Sequence, residues 1–187
     1  MTVMTENSGR ERKCNIWAPW RMPYIETLHE DPADDGCFLC RGRDQRDRDV
    51  ENLVLWRGEH CLAVLNRYPY TGGHSMVAPL QHVATMGEMP DPALLEMMRM
   101  VTSLQDALKA GFDCQGFNVG FNIGRCAGAG LPGHLHVHVV PRWNGDTNFM
   151  PVFTDVRVVP VSLEEIYEQL SAAAAKLDLP WSRGEMP

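Results

Sequence analysis

Residues 133 to 143 read GHLHVHVVPRW, with histidines at 134, 136 and 138 alternating with Leu135, Val137 and Val139. A valine-rich alternation predicts a β-strand, in which successive side chains point to opposite faces. The three imidazoles then share one face, and the three aliphatic residues bury into a core behind it. A chain with seven histidines that aligns three of them in this way has two chemical uses for the row. It can hold a metal, or it can do nucleophilic and acid-base work on a substrate lying across the sheet. A purely structural polar face would mix Thr, Lys, Glu and Arg rather than repeat imidazole.

The second cluster is Cys37-x-x-Cys40. Of six cysteines only these two are closely spaced, the others standing at 14, 61, 114 and 126. In a reducing compartment such a pair serves as a metal or redox site more readily than as a structural bridge. No thioredoxin-like βαβ pattern surrounds it, and zinc would need two further ligands.

The elements that must position these residues follow from composition and periodicity. With 187 residues, 44% of them hydrophobic, the chain fits one domain with a real core. A formal charge of −7 argues against non-specific nucleic-acid binding, so a phosphate compound would have to be captured by a local site. Residues 1 to 13 are polar and read as a disordered tail rather than a signal peptide. No apolar run approaches the roughly 18 residues of a membrane span, which points to a cytoplasmic protein with no membrane partner.

The remainder, 14 to 187, reads as a single domain. It opens on an aromatic segment, IWAPWRMPYIE (16 to 26), too rich in Trp and Tyr to stay solvated, followed by a charged loop that contains the cysteine pair and the solvated run RGRDQRDRD. Three strand candidates follow, NLVLW, CLAVLN and HSMVAPL, an antiparallel meander. The clearest helix spans 91 to 111, with Asp91 placed to cap, Pro92 in the first turn, Leu94, Met97, Met98, Val101, Leu104 and Leu108 at helical spacing, and Gly111 to stop it. Strand GFNVGFNI (116 to 123) and a glycine-rich loop lead into the histidine strand. A C-terminal helix over 162 to 177 carries Ile166, Leu170 and Leu177 on one side. Strands, helix, strands, helix is an α+β order, with helices on one face of an antiparallel sheet of about five strands.

His-x-His-x-His on a strand, after a glycine-rich loop, resembles the histidine triad superfamily of nucleotide hydrolases and transferases. The likeness extends over VLNRYPYTGGHSMVAP (64 to 79), GFNVGFNIG (116 to 124), HLHVHVVPRWNGDTNF (134 to 149) and the aromatic IWAPWRMPYI. These features look most like the branch that contains bacterial diadenosine tetraphosphate phosphorylases and adenylyltransferases. The resemblance implies that His136 is the nucleophile. Neutral imidazole suits that work at cytoplasmic pH, provided a hydrogen bond to a backbone carbonyl fixes the remote N–H and leaves the other nitrogen facing phosphorus. It also implies that His138 donates to a phosphoryl oxygen or the leaving group, that Asn122, Gly124 and Gly130 line the phosphate site, that Asn66 holds the ribose, and that His74 and Trp143 sit around the site.

Some branches complete a zinc site with the histidine of a P-x-x-H segment and the first histidine of the triad, here His82 and His134. With Cys37 and Cys40 they would form a closed, structural Cys2His2 zinc centre. Family members commonly pair as homodimers. One departure stands out: the loop AGAGLPGH lacks the Ser, Thr or Gln that many members place before the triad, which leaves the leaving group and the final acceptor, water or phosphate, open. Two rivals to a nucleotidyl-His136 enzyme are a hydrolase using the whole histidine row as catalytic metal ligands and a nucleotide-binding regulatory module without turnover.

Overall fold

The computed structural model describes residues 36–146, 161–177 and 179–181, all within one unit of the chain. The polar tail and the IWAPWRMPYI segment lie outside the described residues. Strands β1 (Val54–Arg57), β2 (Cys61–Leu65) and β3 (Ser75–Pro79) form the expected meander. The long helix α2 (Asp91–Phe112) then carries the chain across to β4 (Gly116–Phe121), and β5 (Val137–Arg142) returns between β3 and β4. The sheet order is β1-β2-β3-β5-β4, antiparallel throughout, with β4 at one edge. The α+β architecture is the one the sequence order implies.

Alternation sorts the two faces. Leu135, Val137 and Val139 join Leu55, Ala63, Leu65 and Val77 in a core under α2 and the C-terminal helix α3 (Leu163–Ala175). On the other face a smaller cluster gathers Val54, Leu62, Val64, Met76 and Ala78 against Leu39. His138 pairs with Met76 across β3, so the histidines share that second face.

Specific bonds hold the helices to the sheet. Glu96 of α2 accepts the His60 and Cys61 N–H groups at the β1–β2 turn, both at 2.8 Å, and the Tyr167 hydroxyl of α3 donates to the Val54 carbonyl at 2.8 Å. The Ser162 hydroxyl accepts the Glu165 N–H at 3.1 Å and caps α3.

Several local expectations are corrected. Pro90, not Asp91, is the cap residue of α2, and the helix runs through Gly111 to end at Asp113, which adopts a left-handed φ of 49°. Met98 faces outward while Met97 and Met100 are buried. The charged loop around the cysteines contains a helix, α1 (Phe38–Asp44), with Cys37 as its cap residue. Nor is the charge run wholly solvated, because its Asp49 forms a bidentate ion pair with the buried Arg57, both contacts at 2.6 Å.

Candidate active site and metal centre

The histidine row begins before the ladder does. β3–β5 pairing covers only Val137 to Val139 on β5, so His134 and His136 are placed by other means. The Leu135 N–H donates to the Val83 carbonyl at 2.6 Å. His134, almost fully buried, has its Nε2 2.8 Å from the Pro79 carbonyl. A carbonyl only accepts, so Nε2 carries the proton and the Nδ1 lone pair is turned the other way.

That lone pair faces sulfur. Nδ1 of His134 lies 3.1 Å from Cys37 Sγ and 3.6 Å from Cys40 Sγ, and Cys40 Sγ lies 3.2 Å from His82 Nδ1. The four donor atoms are all within 4.8 Å of one another. The cap geometry of α1 sets the two sulfurs: Cys37 Sγ accepts the Cys40 N–H at 3.5 Å. His82 packs against Gly133, where an added Cβ would meet its Nε2 at 3.3 Å. Burial, reinforced by the neighbouring Cys37 sulfur, pushes the Cys40 thiol up to about 11, because two sulfurs this close disfavour joint ionisation unless a cation lies between them. Burial holds His134 down at about 4, which keeps it a neutral ligand. Two thiols, two imidazole nitrogens and a backbone acceptor behind one of the rings fit a tetrahedral metal of the borderline-soft kind.

The other two histidines point to different partners. His136 Nδ1 lies 2.9 Å from the carbonyl of His134, so it donates there and leaves Nε2 unprotonated. Burial pushes its pKa down. His138 Nδ1 lies 3.0 Å from Nε2 of the buried His74, and the Tyr70 N–H donates to His74 Nδ1 at 3.1 Å. The second bond sets the first: His74 carries its proton on Nε2 and donates to His138 Nδ1, so His138 in turn carries its proton on Nε2. Burial, with His136 nearby, holds His138 at about 4. At neutral pH the row thus presents a lone pair at His136 and an N–H at His138. The described residues do not bring the three imidazoles together as ligands of one metal.

Asn66 follows β2; its Oδ1 accepts the Tyr68 N–H at 2.9 Å and its Nδ2 lies 3.3 Å from His74 Nδ1. Asn122 follows β4 and donates to the Gly128 carbonyl at 3.4 Å, bracing the glycine-rich loop. Gly124 enters that loop with a φ of 82°, a left-handed conformation that suits glycine. Gly130 is exposed in the same loop. Trp143 packs on the helix-side core, and its indole N–H donates to the Phe112 carbonyl at 3.2 Å. The sequence reading left the parts played by His74 and the Pro79 carbonyl unassigned. The signal for His74 was the NRYPYTGGH turn, which returns the chain to the sheet beside His138.

A family model described as HIT domain matches residues 47–145. An AP-4-A phosphorylase of Mycobacterium tuberculosis is 35% identical over 179 residues, 94% of this chain and 92% of that protein. An uncharacterized HIT-like protein of Methanocaldococcus jannaschii is 36% identical over 72% of this chain and 98% of its own length. Among solved structures, a Zn-bound histidine triad family protein from Mycobacterium smegmatis superposes with a TM-score of 0.60 at 27% identity, covering 76% of this chain and 96% of that one. With its triad on one face of the sheet and these likenesses along its length, the chain belongs to the HIT domain family.

Proposed function

We propose that the protein cleaves a dinucleoside polyphosphate such as diadenosine tetraphosphate at the α-phosphate, through a covalent nucleotidyl-His136 intermediate. The observation that carries this reading is the His136 Nδ1 bond to the His134 carbonyl, which frees Nε2 as a neutral nucleophile. Nε2 forms a bond to the α-phosphorus as the bridging oxygen departs with the rest of the substrate. The His138 Nε2–H donates to the phosphoryl oxygens or the departing oxygen, where charge gathers in the transition state. Asn66, Gly124 and Gly130 line the substrate site, and Asn122 holds the loop that faces the phosphates. An incoming phosphate or water then displaces His136 and releases ADP or AMP.

Inorganic phosphate is the acceptor favoured here. The M. tuberculosis relative is named a phosphorylase and aligns over nearly the whole chain. Zinc is the metal proposed for Cys37, Cys40, His82 and His134, supported by the donor set and by the zinc-bound relative. It would supply cross-linking and leave the chemistry to the histidines. Two copies of the chain pair as a homodimer; the partly exposed edge strand β4, with Val119 exposed, supports that pairing. Among the described residues no helix is long and apolar enough to cross a membrane. The cytoplasm is the compartment proposed for the protein.

The test is product analysis with diadenosine tetraphosphate, with and without phosphate. ADP plus ATP formed only with phosphate is the expected result, and AMP plus ATP would make water the acceptor. No turnover of diadenosine tetraphosphate, with retained AMP affinity, would leave a binding module.

A further inference from the structure

The turn between β2 and β3 carries aromatic side chains that the reaction above leaves unused. Its sequence from 66 to 71 is NRYPYT, and it is tied down along its length. The Asn66 N–H donates to the His74 carbonyl at 2.9 Å and the His74 N–H to the Thr71 carbonyl at 3.1 Å. The Tyr68 N–H donates to Asn66 Oδ1 at 2.9 Å, and the Thr71 hydroxyl donates to the Pro141 carbonyl at 3.1 Å. Pro69 stiffens the segment further. A turn closed this tightly fixes its side-chain directions before any ligand arrives. Tyr68 nevertheless stands 82% exposed, the most exposed of the large hydrophobic side chains among the described residues.

The neighbours of the turn say which part of a substrate would meet it. Tyr70 stacks on His74, with ring centroids 4.6 Å apart and planes 28° from parallel, and its ring lies 6.1 Å from that of His138. The proposed reaction has His138 donate to the phosphoryl oxygens or the departing oxygen, so the turn lies beside the histidine that faces the phosphate chain. Arg67, the cation of the turn, is engaged with the Glu51 carbonyl at 2.9 Å. What the turn offers outward is therefore an aromatic face.

We propose that Tyr68 is a specificity-determining residue on which the nucleobase of the departing nucleotide stacks, with Pro69 and Tyr70 as its rigid support. The inference rests on the function proposed above. A phenol face stacks on any base, so this contact selects dinucleoside polyphosphates over nucleotides with a bare polyphosphate tail and does not discriminate among bases in the leaving half.

Diadenosine tetraphosphate and adenosine 5′-tetraphosphate share the same α-phosphorus and differ by the second nucleoside. The test measures kcat/KM for both in wild type, Tyr68→Leu and Tyr68→Phe, with unchanged melting confirming the fold. The ratio of the two kcat/KM values is expected to fall about tenfold in Tyr68→Leu, chiefly through KM for the dinucleoside compound, and to hold within twofold in Tyr68→Phe, which keeps the ring. A Tyr68→Leu ratio equal to wild type, or an equal loss on both substrates, overturns the platform while leaving the proposed reaction standing. Wild type inert toward both compounds overturns the reaction, and the platform with it.

Discussion

The His136 imidazole donates from Nδ1 to the backbone carbonyl of His134, 2.9 Å away, while the His134 side chain turns its own Nδ1 toward Cys37 and Cys40. One residue thus joins the Cys37, Cys40, His82 and His134 cluster to the proposed nucleophile. It does so at a point where the β3–β5 ladder no longer holds the chain. The tautomer of His136 depends on where that carbonyl stands, and the carbonyl belongs to a residue whose side chain is held between Cys37, Cys40 and the Pro79 carbonyl.

Removing a ligand is therefore expected to weaken both fold and catalysis. Purified protein should carry about one zinc per chain by elemental analysis, and Cys37→Ser should lose it. A metal ligand of this kind supports folding directly, so the melting temperature drops first. Activity falls with it, by roughly 10- to 100-fold, the range seen when groups that orient a metal site are removed. A Cys37→Ser protein with no zinc, unchanged melting and full activity would sink the coupling.

His74 orients His138 through the 3.0 Å Nε2 to Nδ1 contact, and the Tyr70 N–H fixes which nitrogen of His74 donates. Without His74, the His138 ring can carry its proton on Nδ1 and present a lone pair where the reaction needs a donor. Losing an oxyanion donor outright costs about 10²- to 10³-fold in kcat; misorienting one is expected to cost about 10- to 100-fold in His74→Ala, with KM little changed. His74→Gln, whose amide N–H₂ can replace the lost donor, should recover part of kcat. An equal loss in both variants would mark a packing role instead.

Burial holds His138 at about 4 against an ordinary value of 6.5, which sets a pH dependence of definite sign. Between those values the unfolded chain binds a proton at this site and the native protein does not, so the unfolding free energy rises with pH across the window. Stability should be complete above about pH 6.5 and fall progressively as the pH drops toward 4. Melting temperatures of wild type and His138→Gln between pH 4.5 and 7 check this. The variant should show a shallower slope, and identical slopes would mean that His138 titrates normally.

Periodicity made the fold legible because each face of each element has one job. Val137 and Val139 had to bury, so His136 and His138 had to share the opposite face, and the alternation alone established that much. It could not show that the hydrogen-bonded strand starts only at Val137, because the end of a ladder depends on a partner strand's length. The helix around the cysteines was hidden for a related reason: FLCRGRD is too short and too charged to show an amphipathic period, and its start is set by a thiol cap. Asp49 was concealed within a run of charges because its burial comes from Arg57, a residue eight positions away whose surroundings are set by tertiary packing.

That Asp49–Arg57 pair also anchors α1. The Arg57 side chain is 2% exposed; besides its two contacts to Asp49 it donates to the Gly42 carbonyl near the end of α1. It thereby ties the helix that carries the cysteines to the first strand of the sheet. Asp49→Ala leaves a guanidinium buried without its counter-ion, a change that typically costs about 3–5 kcal/mol. Replacing both partners with apolar residues, as in Asp49→Leu with Arg57→Leu, removes the charge as well as the pair and should cost less than the single change. Denaturant unfolding of the three proteins measures this. Because α1 presents Cys40 to the proposed zinc site, Asp49→Ala should also release zinc to a chelator faster than wild type. Stability within about 1 kcal/mol of wild type in the single variant would show that the pair is effectively solvated and does not anchor α1.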